Sequence, residues 1–108
     1  DARQRMTRGS SWSADENAAV IKAYFWMLDE QQAFRDFNKA AKYRELIAGP
    51  LHARSRQSIE RKMQNISAVL QEHGIDWVEG LMPLANYQFD LGVAVEQELA
   101  ARGIINRA

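Results

Sequence analysis

The stretch from Arg54 to Leu70, RSRQSIERKMQNISAVL, constrains the fold most, because it reads as one capped amphipathic helix. Ser55 is a good N-cap. Ile59, Met63, Ile66 and Leu70 repeat at the spacing of a helix with one buried stripe, which Val69 widens. Turning by about 100° per residue places Gln57, Arg61, Gln64, Asn65 and Ala68 on the opposite side. An Arg can bridge guanine O6 and N7, and a Gln or Asn can bridge adenine N6 and N7, so this far face carries groups suited to a major groove. The competing reading is an ordinary solvated helix face.

Punctuation on either side extends the helical reading. Ser13-Ala14-Asp15-Glu16 is a capping box preceded by Trp12, so a first helix starts near Ala14 and ends around Gln31 to Phe34. Its stripe is Val20, Ile21, Tyr24, Phe25 and Leu28. Trp26 falls opposite, and the reading favours its being covered by another segment over its being held out for a partner. Asn38 caps a short second helix through Tyr43, Leu46 and Ile47, and Gly49-Pro50 stops it. The third helix runs from Ser55 to His73, with Gly74 beyond its end. Ile75 to Pro83 reads as an irregular connector whose Trp77 and Leu81 plug the core. A fourth helix is expected from about Leu84 to Ala101, burying Tyr87, Leu91, Ala94 and Val95 and ending at Gly103. No useful β alternation appears, so the expectation is an all-α, four-helix domain with a helix-turn-helix core. The expected core is Trp12, Ile21, Tyr24, Leu28, Ile47, Ile59, Met63, Ile66, Leu70, Tyr87 and Leu91.

The 108 residues suffice for one core, expected over residues 12–103, with tails at 1–11 and 104–108. The basic first tail, with Arg3, Arg5 and Arg8, reads as a tag or linker remnant, or as an arm for phosphate or the minor groove. An opening Asp rather than Met suggests a segment of a longer protein or a processed start. No run approaches the roughly 20 apolar residues of a membrane span, no secretory signal opens the chain, and there is no Cys. A soluble, cytoplasmic chain that uses no membrane is the expectation.

The formal net charge of zero conceals a dipole. Between residues 39 and 62 the cations Lys39, Lys42, Arg44, Arg54, Arg56, Arg61 and Lys62 face only Glu45 and Glu60, a net +5. Between residues 76 and 102 the acids Asp76, Glu79, Asp90, Glu96 and Glu98 face only Arg102, a net −4. A basic pole on the candidate recognition segment orients a protein on phosphate, with modest and salt-sensitive affinity. Lys39, Lys42, Arg54, Arg56 and Lys62 are therefore read as phosphate contacts, and Gln57, Arg61 and Gln64 as nearest the bases. Asn65 joins this DNA-binding set. Gln64 and Asn65 have a second reading, as internal hydrogen-bond donors that hold the connector.

Catalytic chemistry has little support. His52 and His73 are the only histidines, and nothing has zinc-ligand spacing. Glu60 and Lys62 stand two apart and do not share a helix face. Asp15-Glu16 suits a helix N-terminus, and Asp29-Glu30 a solvated face. No metal, cofactor or enzymatic activity is expected of this segment. Two function classes remain: a DNA-binding module, which needs Arg56, Gln57, Arg61 and Gln64 exposed together, and a helical protein-interaction or dimerisation module, which needs an exposed apolar patch at Trp26 or Met82.

Two resemblances meet at these residues. Trp12-Ser13-x-x-Glu16 with Tyr24, followed by Arg54-Ser55-x-x-Ser58-Ile59-x-x-Lys62, resembles the outline of a Myb or SANT-type three-helix module. Those pieces, with Tyr24-Phe25-x-Met27-Leu28, Asn38-Lys39, the block from Arg54 to Leu70 and Asn86-Tyr87-Gln88, are also similar to a helical N-terminal module of bacterial proteins that carry HNH-type or restriction-endonuclease-like domains. The chain departs from that pattern at Trp26 and at Leu81-Met82-Pro83. The resemblance implies recognition of double-stranded DNA, or targeting of an attached nuclease domain, in restriction or defence.

Overall fold

Ser13 starts the first helix as its sequence requires. In the computed structural model, which describes residues 11–106, the Ser13 Oγ accepts from the Glu16 N–H at 3.1 Å, and the Glu16 carboxylate accepts from the Ser13 N–H at 3.0 Å. Four helices follow: α1 (Ala14–Gln32), α2 (Lys39–Ala48), α3 (Arg56–Glu72) and α4 (Phe89–Ala101). Among the described residues there is no strand. The fold is all-α with four helices, as the caps and stops predict. The expected tail Asp1–Ser10 and the final residues 107–108 lie outside the described residues.

Each of the first three helices is capped by the predicted residue. Asn38 Oδ1 accepts from Ala41 N–H at 3.0 Å, and Ser55 Oγ from Ser58 N–H at 3.1 Å, each satisfying a donor with no partner inside the helix. At the end of α3, Gly74 takes φ +70°, which lets the Ile75 N–H return to Leu70 O at 2.9 Å.

The helices α1 and α3 form the central pair. Each packs against both α2 and α4, whereas α2 and α4 make no contact with each other. The core between them holds the α1 stripe, Ile59, Met63, Ile66, Val69 and Leu70 of α3, and Leu91, Val95 and Leu99 of α4. Such fully buried side chains contribute about 1.5–3 kcal/mol each. Of the expected core, Trp12, Ile47 and Tyr87 pack at its margin rather than inside it. Met27, Leu51 and Val78 are fully buried and were not among the expected residues.

A buried polar node ties the layers together. The Tyr24 hydroxyl of α1 lies 2.7 Å from Ser67 Oγ of α3 and accepts the Val78 N–H of the connector at 3.0 Å. Leu81 is fully buried and Trp77 half-buried, so the connector plugs the core as expected.

The start of the fourth helix is a correction: it begins at Phe89, five residues later than Leu84. Residues 84–88 take no helical conformation, and Leu84 and Tyr87 are bonded to α3 instead. Leu84 N–H donates to Gln64 O at 3.0 Å, and Asn86 stands at φ +67°, which a helix does not allow. Gly92 within α4 is explained by the Tyr87 ring, because a Cβ there would meet Tyr87 Cε1 at 2.7 Å. The half-buried Tyr87 then reaches across to α3, donating to Glu72 at 2.6 Å.

Candidate nucleic-acid interface

The outward side of α3 is divided in two by the connector. Over its C-terminal half, Asn65 Nδ2 donates to Leu84 O at 2.6 Å, and Ala68 is only 4% exposed. Asn65 thus has the structural role offered as its second reading, and it is withdrawn from the base-contact set. Ala68 is buried, although the helical period puts it on the outward side. Gln64 is half-buried, and its backbone carbonyl carries the Leu84 bond.

What stays open is the first two turns, where Arg56, Gln57, Glu60 and Arg61 are all exposed. The Arg56 guanidinium lies over the Tyr43 ring of α2, 5.1 Å from its centroid. Burial first, and the Glu60 charge second, push the Tyr43 phenol up to about 12, against the opposing pull of Arg56. Its hydroxyl is buried with no hydrogen-bond partner among the described residues.

Two predicted phosphate contacts are engaged within the fold, Lys62 buried and Arg54 partly so. Lys62 is 8% exposed, with its Nζ 5.0 Å from the Trp12 ring centroid. Desolvation lowers its pKa, the Arg54 charge adds to that, and Glu16 opposes it. This corrects the expectation, since a Lys so covered has little reach to a phosphate backbone. Arg54 grips Glu16 with two bonds of 2.8 Å, from Nε and Nη2, and Nη2 also donates to Ser11 O at 3.1 Å. Its guanidinium lies 5.0 Å from the same Trp12 ring. That side chain latches the start of α1 to the turn before α3, and the Glu16 carboxyl falls to about 2 chiefly because Arg54 hydrogen-bonds it.

The α2 cations are partly engaged as well. Lys39 Nζ donates to Glu79 O at 2.9 Å, and Lys42 Nζ donates to Glu45 at 2.9 Å while sitting 4.1 Å from the Trp26 ring centroid. Arg44 of α2 is exposed and was counted in the basic pole but not in the site. The α2 period already sets it away from Tyr43 and Leu46.

The apolar candidates are exposed too. Cover of Trp26 is partial: Phe37 meets its ring edge-on at 6.0 Å, yet 41% of the residue is open. Met82 is 61% exposed. Exposure therefore fails to separate the two function classes by itself, although the open polar face lies on a capped helix N-terminus and the two apolar residues stand on different segments.

Among the described residues no group of three His, Asp or Glu side chains is placed to hold a metal ion, and no helix is long and apolar enough to cross a membrane. Comparison with protein-family models, with curated proteins and with solved structures gives no match, so the functional reading rests on the residues themselves.

Proposed function

We propose that this domain binds duplex DNA through the first two turns of α3, with α2 and α3 acting as a helix-turn-helix pair. The observation that carries the reading is the joint exposure of Arg56, Gln57 and Arg61 at the end of α3 that the connector leaves open. A recognition helix meets base edges with its N-terminal residues, which are the ones presented here. Gln57 and Arg61 supply amide and guanidinium donors for base edges, with Gln64 at the margin of the face. Arg56, braced on the Tyr43 ring, is a phosphate contact, with Lys39 and Lys42 in support. Glu60 within this face, and a net charge of zero, keep affinity modest and selective against non-specific phosphate binding. Service as the targeting segment of an attached nuclease, in bacterial restriction or defence, is the wider role supported by the resemblance of the third-helix block.

Fluorescence anisotropy on short duplexes over a salt series tests the reading. Arg56→Ala should weaken all sequences similarly and flatten the log–log salt slope by about one unit, whereas Arg61→Ala should cost about 1–3 kcal/mol at one base pair and relax preference there. Both side chains are exposed, and Arg61→Ala leaves the core contacts in place, whereas Arg56→Ala also removes the guanidinium over the Tyr43 ring. Absence of salt-dependent binding at low ionic strength, or two variants that bind like the wild type, would overturn it.

A further inference from the structure

Glu60 is the only acid between Arg56 and Arg61, and it stands among cations and amides. Turning by about 100° per residue sets it about 40° from both Arg56 and Gln64, one turn to either side. Arg56, Glu60, Gln64, Gln57 and Arg61 thus follow one another across an arc of about 140°. All are exposed except the half-buried Gln64. The carboxylate therefore lies within the open face of α3, on the side nearer α2, where its charge bears on the Tyr43 phenol.

Two arginines are close enough in sequence to neutralise this carboxylate, and neither does. Arg56, one turn before it, lays its guanidinium over the Tyr43 ring, 5.1 Å from the centroid. Among the described residues Glu60 enters no ion pair and accepts no side-chain hydrogen bond. An unpaired carboxylate repels a phosphate backbone whatever its sequence. Base edges do not all respond alike, because a carboxylate only accepts hydrogen bonds. In the major groove guanine O6 and N7 and thymine O4 are acceptors and offer it nothing. Adenine sets its amino donor beside the acceptor N7, which suits an amide, whereas cytosine presents its N4 amino group as a donor alone.

We propose that Glu60 is a specificity-determining residue of the DNA site, accepting a hydrogen bond from the N4 amino group of a cytosine in the major groove. This role rests on the DNA reading of α3 and adds a base to it. The carboxylate then acts in two directions: it lowers affinity for duplex in general by repulsion, and it recovers affinity where a cytosine amino group meets it. Arg61, the next residue, is suited to guanine, so a target rich in G·C pairs at this end of α3 is expected.

Selection from a randomised duplex library with the 108-residue chain, followed by anisotropy on the enriched site and its single-base variants, tests the role. The wild type should enrich a cytosine at one position, and any other base there should weaken binding about 5- to 150-fold. Glu60→Gln should move the preference at that position from cytosine to adenine and leave the other positions unchanged, since an amide both donates and accepts. Glu60→Ala should bind random-sequence duplex more tightly than the wild type and lose the cytosine preference; an acid that is merely solvated would give the first effect without the second. Because Glu60 is exposed and unpaired, neither change removes an ion pair of the fold. A cytosine preference that survives both substitutions, or a wild type that binds duplex with no cytosine preference, would overturn the role of Glu60 and leave the DNA reading in place. A wild type without salt-dependent binding overturns the DNA reading itself, and this role with it.

Discussion

Tyr24 and Ser67 show what single residues contribute to the fold. Both are fully buried, and together with the Val78 N–H they satisfy one another across α1, α3 and the connector. Burial raises the Tyr24 phenol above its ordinary value, while the bonds from Ser67 and Val78 act against that rise. The hydroxyl therefore stays protonated and holds the connector by a neutral hydrogen bond. Tyr24→Phe would leave the Val78 N–H without its acceptor and Ser67 without its partner. A loss of about 1–3 kcal/mol in urea unfolding is expected, with little change in helix content by circular dichroism. Nothing in the local sequence marks this node, since Tyr24 and Ser67 are 43 positions apart and each reads separately as an ordinary helix residue.

At the scale of elements, starts and stops were readable because they depend on near neighbours. The Ser13 box, Asn38, Ser55 and Gly74 each act within a few residues, and each does what its sequence predicts. Ser55→Ala should destabilise the domain by about 1 kcal/mol, because the Ser58 N–H loses its acceptor at the start of α3. An unchanged midpoint of thermal unfolding would count against that role. The fourth helix was misplaced for the opposite reason. Leu84 and Ala85 are good helix formers, but Leu84 is bonded on both sides to α3, through Gln64 O and Asn65 Nδ2, and that tertiary attachment overrides propensity.

Across the whole molecule, the latch between Arg54 and Glu16 joins the start of α1 to the turn before α3 and converts sequence charge into stability. The Glu16 carboxyl has an ordinary pKa of 4.5 and lies near 2 in the folded protein. A carboxyl with a depressed folded pKa stabilises fully above its unfolded value, and that stability disappears as pH falls from about 4.5 through about 2. In Glu16→Gln the amide oxygen can still accept from Ser13 but carries no charge. The variant should be less stable at neutral pH, and its stability should decline less steeply than the wild type's over that acid window. Chemical denaturation at several pH values checks this, and parallel curves would exclude the latch as an acid-sensitive element.

The division between sequence and structure follows the range of the interactions. Periodicity, caps and glycine stops act within one or two helical turns, so the sequence alone determined four helices, most of their boundaries and the α3 stripe that faces the core. It also placed Gln57 and Arg61 on the outward side, where both are exposed, because helical phase is a local property. Only the tertiary structure decided which other cations remain available. Glu16 takes up Arg54 from 38 positions away, Trp12 packs on Lys62, and the Leu84 carbonyl claims Asn65. Those outcomes depend on which distant segment packs over a given helix face, and a helical wheel holds no information about a neighbour brought in by the fold.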